Sequence, residues 1–188
     1  MTENDMIKQC KQGNRDAFNV LFEKYQSKVI NLAYNMLSDR EDAFDAAQEV
    51  FVKVYKNMES FKENSSFTTW LYRITSNVCA DMLRKRQRSA KSVSIDKMSE
   101  EFGGTDIQDT APTPEENAFL TERQRAVREA INELKDEYKI VITLCDIEEM
   151  SYDEIAEILK LPKGTVKSRI NRARTSLKKN LEKKRELF

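Results

Sequence analysis

Only four glycines and three prolines occur in 188 residues, and that scarcity constrains the fold more than any other feature. A sandwich, barrel or multi-hairpin sheet needs tight turns, and such turns draw heavily on those two residues. The abundant Glu, Lys, Arg, Leu and Ala instead suit helices. An all-α fold is predicted. The chain has no histidine, which removes Ser/His and Cys/His dyads and His-ligated metal sites, and its scattered glycines make no phosphate-cradling loop. No cofactor and no enzymatic constellation is expected. Cys10, Cys79 and Cys145 are odd in number, far apart and set in apolar helical patterns, so they are read as reduced core thiols of a cytosolic protein. No run of 18 apolar residues and no secretory leader is present, so no direct membrane insertion is expected.

The net charge of zero conceals a division along the chain. Residues 1–91 carry 15 basic and 12 acidic side chains, 92–118 carry one and seven, and 119–188 carry 16 and 13. The middle stretch also holds Gly103, Gly104, Pro112 and Pro114 without helical periodicity, so it is expected to be a flexible acidic linker between two small helical domains. Each domain concentrates its positive charge, at Arg84–Lys91 in the first and within residues 160–185 in the second. Two basic faces flanking an acidic strap point to nucleic acid.

In the first domain Phe18, Leu21, Phe22, Tyr25, Val29, Leu32, Ala33 and Met36 recur at helical spacing, which predicts a helix from about Asp16 to Leu37. Ser38 and Glu41 form a Ser-x-x-Glu pattern that predicts the cap of a second helix, buried along Ala43, Ala47, Val50, Phe51, Val54 and Met58. Residues 61–66 read as a loop, and Phe67, Trp70, Leu71, Ile74, Val78 and Met82 predict a third helix. Two sets of residues are not explained by a core. Asp45, Gln48, Glu49 and Lys53 lie away from the apolar stripe of the second helix. Trp70, Tyr72, Arg73, Asn77, Asp81 and Arg84, after the 61–66 loop, set amide and charged groups beside aromatic rings, a combination that suits unstacked single-stranded bases. A core with Trp70 and Phe67 inside is the alternative, and the two are compatible, since a residue at the rim can pack on one side and stack on the other.

In the second domain Thr113, Pro114 and Glu116 predict a helix start, followed by an apolar face of Leu120, Val127, Ile131 and Leu134. Tyr138–Ile147 is apolar on nearly all sides and predicts the most buried helix. Ser151 and Glu154 predict a capping box, a short helix follows, residues 161–164 break the chain, and Thr165 is expected to cap the last helix. That is helix-turn-helix spacing. On the last helix Val166, Ile170, Ala173 and Leu177 fall within about 60° of one another, leaving Lys167, Ser168, Asn171, Arg172, Thr175 and Lys178 outward. Donors near the start of such a helix reach major-groove base edges, while Arg169, Arg174, Lys178 and Lys179 suit phosphates.

The run from Ser151 through Ala156 and Gly164 to Arg174 resembles the second DNA-binding region of extracytoplasmic-function sigma factors, the small bacterial transcription initiation factors. Residues 45–51 and 67–74 resemble the first domain of that family. The resemblance implies that residues 1–91 form sigma region 2, 92–118 a linker and 119–188 sigma region 4. It implies that Asp45, Gln48 and Glu49 dock on the β′ clamp helices of core RNA polymerase. It assigns Lys53, Phe61, Ser66, Trp70, Tyr72, Asn77 and Arg84 to melting and holding −10 promoter DNA. It assigns Lys163, Thr165, Lys167, Ser168, Asn171 and Arg172 to the −35 element, with the other face of that domain on the β flap. An anti-sigma factor, soluble or membrane-bound, is the further implied partner. Lys135 stands where a proline is common, so a softer helix break is expected there. The competing reading is a stand-alone helix-turn-helix regulator whose first domain senses or dimerises; it leaves the aromatic and amide face after Phe61 without a role.

Overall fold

Helix α1, Glu3–Lys11, opens the chain under a Thr2 cap whose side chain accepts from the Asp5 amide while the Asp5 carboxylate accepts from Thr2. The computed structural model describes residues 2–62, 64–96 and 122–185. Every element among them is helical. Gly13, at φ +82°, turns α1 into α2, Arg15–Leu37, which Asn14 caps. Helix α3, Arg40–Asn57, runs into a 3₁₀ turn over Met58–Ser60, and α4 spans Phe67–Asp96. The second domain contains α5, Glu122–Asn132; α6, Asp136–Ile142; a π turn over Thr143–Ile147; α7, Tyr152–Leu159; and α8, Lys163–Arg185.

Helices α2, α3 and α4 pack on one another, with α1 laid against α2. The periodic residues named from sequence build this core. Leu21, Tyr25, Val29, Leu32, Ala33 and Met36 meet Ala43, Ala47, Val50, Phe51 and Val54, all buried. Burying each of the larger aliphatic side chains contributes about 1.5–3 kcal/mol. Phe22 departs from the pattern: it is exposed at the rim of a groove, edge-on to Phe51 at 4.6 Å. In the second domain Val141, Ile142, Leu144, Ile155, Ile158, Val166, Ile170 and Ala173 are buried, whereas Val127 is exposed.

Several sequence-based boundaries are corrected. Ser38 does not cap α3. It ends α2 in the left-handed conformation, φ 60°, and Asp39 is the cap, its Oδ1 accepting from the Asp42 amide at 2.9 Å. With two capping residues adjacent, the left-handed turn consumes the first and leaves the second extended. Thr165 does not cap α8. The helix begins at Lys163, and the Pro162 carbonyl accepts from the Thr165 and Val166 amides, which puts Thr165 within the first turn. The break at Lys135 is complete despite the missing proline, since α5 ends at Asn132 and α6 starts at Asp136. Helix α4 continues to Asp96, past the expected start of the linker. The helix start at Thr113–Glu116 and Leu120 lie outside the described residues.

Cys10 and Cys79 are buried as expected, while Cys145 is only half-buried; all three are free. Burial pushes the Cys79 thiol up to about 12 from an ordinary 9.0. The native state thus retains a proton that the unfolded chain releases. This contribution is fully present below pH 9 and is lost as pH rises from about 9 toward 12, by up to about 1.4 kcal/mol per pH unit. Tyr25 and Tyr72, raised by burial, act in the same sense above their ordinary 10.0, and Lys139, lowered by burial, opposes them. The melting temperature is therefore expected to fall steeply above about pH 9, and less steeply in Cys79→Ala. Equal slopes in the two proteins would show that the buried thiol carries none of the dependence.

Candidate functional site

The last two helices are held at a fixed angle by residues that can be named singly. Ser151 and Glu154 form the expected capping box on α7, with the Ser151 amide donating to Glu154 Oε2 at 2.9 Å. Lys160 takes the left-handed conformation, φ 53°, and Pro162 cannot continue the turn, so the chain redirects over three residues into α8. Val166, Ile170 and Ala173 are completely buried, which fixes the rotation of α8 about its axis. Lys167, Ser168, Asn171 and Arg172 are consequently all exposed on its outer side, near its start. Lys163 is exposed and pairs with Asp153 of α7 at 2.7 Å; Thr165 is half-buried, and its carbonyl accepts from Ser168 Oγ at 2.9 Å.

The flanking cations divide into two groups. Lys178 and Lys179 are exposed, Lys178 lying 3.7 Å from Glu182. Arg174, expected on phosphate, instead donates two bonds to Asp146 of the π turn, from Nε at 3.2 Å and from a terminal nitrogen at 2.5 Å. That pairing raises the guanidinium's pKa and ties α8 to the π turn. Arg169 is half-buried and 3.5 Å from Glu137.

In the first domain the sequence-predicted residues separate by depth. Phe61 and Trp70 are buried, packed on each other at 5.1 Å and on Phe67 at 5.6 and 5.7 Å, with Lys11 Nζ 5.3 Å above the Phe61 ring. Ser66 caps α4: its Oγ accepts from the Thr69 amide at 3.0 Å. This aromatic cluster and cap hold the start of α4 and the loop before it. Tyr72 is buried and donates to Glu148 of the second domain at 2.5 Å. Asn77 and Arg84 are exposed farther along α4, Arg84 bonded to Asp81 at 2.7 Å. Lys53, half-buried, pairs with Glu49 at 2.7 Å.

Asp45, Gln48 and Glu49 are all exposed on α3. Sequence reasoning missed what lies beside them. Val52 and Tyr55 are 52% and 48% exposed and, with Phe18, Phe22, Phe51 and Gln48, line a groove of about 710 Å³ between α2 and α3. An apolar groove edged by polar side chains suits a protein partner better than nucleic acid. The available signal was that Val52 and Tyr55 fall outside the buried stripe of α3. Among the described residues no group of His, Cys, Asp and Glu side chains is arranged to hold a metal, and no helix is long and apolar enough to cross a membrane.

Comparison with known proteins matches these two halves to two families in the same order. Residues 21–89 match Sigma-70 region 2, and residues 124–177 match Sigma-70, region 4. The ECF RNA polymerase sigma factor SigW of Bacillus subtilis is 38% identical, covering 93% of this chain and 94% of that protein. The ECF RNA polymerase sigma-E factor of Haemophilus influenzae is 38% identical over 97% and 96%. The fold is shared with the sigma factor RpoE of Bartonella quintana, solved with the anti-sigma factor NepR, at a TM-score of 0.68 and 24% identity over 88% of this chain and 96% of that one. It is shared equally with CnrH, solved with the cytosolic domain of CnrY, at 0.68 and 23% identity over 94% and 95%. A helix-turn-helix unit following a helical bundle, matched along nearly its whole length by such relatives, places this chain among the extracytoplasmic-function sigma factors, which give RNA polymerase its promoter recognition.

Proposed function

We propose that the two domains divide promoter recognition between them, with residues 119–188 on the −35 duplex and residues 1–91 on the polymerase and the −10 strand. The exposed row Lys167, Ser168, Asn171 and Arg172, set on a helix whose opposite side is buried at Val166, Ile170 and Ala173, is the observation that carries this reading. Arg172 and Lys167 suit guanine and Asn171 suits adenine, each good bidentate pair being worth about 1–3 kcal/mol of discrimination. Lys163 and Thr165 flank this row, and Lys178 and Lys179 supply phosphate contacts that carry no sequence information. Asn77 and Arg84 take the −10 strand on the exposed part of α4, with Lys53 contributing from α3, while Phe61, Ser66 and Trp70 shape the loop that receives an extruded base.

Asp45, Gln48 and Glu49 dock on the β′ clamp helices of core polymerase, and the groove lined by Val52 and Tyr55 supports that role. Exposed charge pairs alone contribute little, so a lasting complex needs apolar anchors of this kind. The protein acts in the cytosol as a specificity subunit with no catalysis of its own. An anti-sigma factor, soluble or membrane-bound, covers these surfaces when the protein is silent; the sigma factors RpoE of Bartonella quintana and CnrH, which share this fold, were solved with NepR and with the cytosolic domain of CnrY.

Two single variants test the −35 assignment in holoenzyme. Arg172→Ala is expected to weaken binding roughly tenfold or more on the cognate −35 sequence and little on scrambled duplex. Lys178→Ala is expected to weaken binding to both and to lower the salt slope by about 1. Footprinting titrations across a salt series read both effects. Equal losses on every sequence for the two variants would remove α8 as the reading helix.

A further inference from the structure

None of the residues assigned so far to polymerase, the −10 strand or the −35 duplex lies on α1, and the match to region 2 begins at residue 21, after it. Helix α1 is nonetheless well anchored. Met6, Ile7 and Cys10 are buried, and the helix lies along α2 and touches the 3₁₀ turn over Met58–Ser60. None of the residues that line the groove between α2 and α3 comes from α1.

Its polar side chains lead to two places that are close together in sequence. Near the start of α1 the Glu3 carboxylate pairs with Lys24 and accepts from Tyr25 Oη at 2.8 Å. That same hydroxyl stands 3.5 Å from Thr68 Oγ1 in the first turn of α4, and the Tyr25 ring is edge-on to Phe67 at 5.2 Å. At the other end of α1, Lys11 Nζ lies 5.3 Å over the ring of Phe61. Phe61 and Phe67 flank the loop assigned to an extruded base, so α1 meets both flanks. Burial opposes charge on Glu3, but its bonds from Lys24 and Tyr25 outweigh that and hold the carboxyl below the ordinary range, which makes the Tyr25 bond a charge-assisted one.

We infer that α1 is a brace for the −10 loop: Lys11 on Phe61, and Glu3 through Tyr25 on Thr68, fasten its two flanks, which makes Glu3, Tyr25 and Lys11 positioning residues for strand opening. The inference rests on the −10 assignment above. A short loop held at both ends has less conformational freedom to give up when a base enters it. Loosening one end leaves the receiving conformation populated for a smaller fraction of the time, and the apparent affinity for the base falls by that fraction. Docking through α3 and duplex reading by α8 use other surfaces, so opening is the step that changes. The buried residues of α1 keep the helix on the bundle when a polar tether is cut.

Tyr25→Phe, which removes the hydroxyl and keeps the ring, and Glu3→Ala test this in holoenzyme on a cognate promoter. Initial binding to duplex promoter is measured by competition, and the rate of opening by a permanganate time course at saturating holoenzyme. Both variants are expected to slow opening about fivefold, and Lys11→Ala by a smaller factor, with initial binding and core co-purification unchanged. Glu3→Gln, which still accepts from Tyr25, is expected to recover most of the rate, and no variant is expected to lose more than about 8 °C in melting temperature. Equal slowing in Glu3→Gln and Glu3→Ala, or initial binding that falls in step with opening, would make α1 a stabiliser of the fold alone and overturn the brace. Wild-type opening rates in Tyr25→Phe and Glu3→Ala, beside slow opening in the double variant Asn77→Ala and Arg84→Ala, would overturn the brace and leave the −10 assignment standing. Wild-type opening in that double variant would instead overturn the −10 assignment, so the two readings fail separately.

Discussion

Core RNA polymerase is expected to be lost from the eluate when Asp45 and Gln48 are both changed to Ala, with affinity falling on the order of a hundredfold. Both side chains are exposed on α3, so the fold is expected to change by no more than about 0.5 kcal/mol. A loss of about 1.4 kcal/mol for each of two polar groups at the centre of an interface multiplies to about a hundredfold. Gln48 lines the apolar groove of Phe18, Phe22, Val52 and Tyr55, and Phe18 and Tyr55 already brace each other edge-on at 5.0 Å. Tyr55→Ala should therefore weaken the complex further. Circular dichroism of the double variant reports the fold and co-purification reports the surface. Undiminished co-purification would mean that the polymerase is held elsewhere.

Trp70→Ala is expected to act on stability before it acts on DNA. The indole is 6% exposed and wedged between Phe61 and Phe67, so its removal is expected to cost about 3–5 kcal/mol. Against a total near 5–15 kcal/mol that brings the first domain close to unfolding, a drop in melting temperature of about 15 °C or more. Trp70→Phe keeps a ring in the site and is expected to recover most of the loss. Permanganate reactivity of thymines near −10, measured on the Phe variant, then isolates any role of the indole in strand opening. A melting temperature for Trp70→Ala within a few degrees of wild type would contradict the packing described for this cluster.

The helices were legible because their apolar spacing is regular and their caps are chemical signals. Ser151–Glu154 and the buried row Val166, Ile170 and Ala173 are found as the sequence predicts. Helix α1 was not read, although Thr2 and Asp5 form a capping box before Met6, Ile7 and Cys10; a nine-residue helix offers too few repeats to stand out. Ser38 misled because two capping residues are adjacent, and only the backbone selects Asp39. The family resemblance named Asp45, Gln48 and Glu49, which are exposed, but not the neighbouring groove, because a stripe read from sequence does not show that Val52 and Tyr55 outside it stay uncovered. Trp70 read from sequence as a core residue, a base-stacking one or both at once, and in the structure its indole is packed in the core. The contacts between domains were illegible for a different reason: Tyr72, Lys139 and Ser38 are far apart in sequence, and their hydrogen bonds exist only once both bundles are folded and docked. Lys139, inside the mostly apolar Tyr138–Ile147 run, was a sign that this stretch meets something polar.

The central claim is that this chain confers promoter-specific initiation on core polymerase and has no such activity alone. Transcription from fragmented genomic DNA by purified core polymerase, with 5′ ends mapped in the presence and absence of the protein, tests it most directly. Discrete start sites that share paired upstream elements and appear only when the protein is added are the expected result. The same start sites without it, or tight sequence-specific duplex binding by the protein without polymerase, would contradict the account.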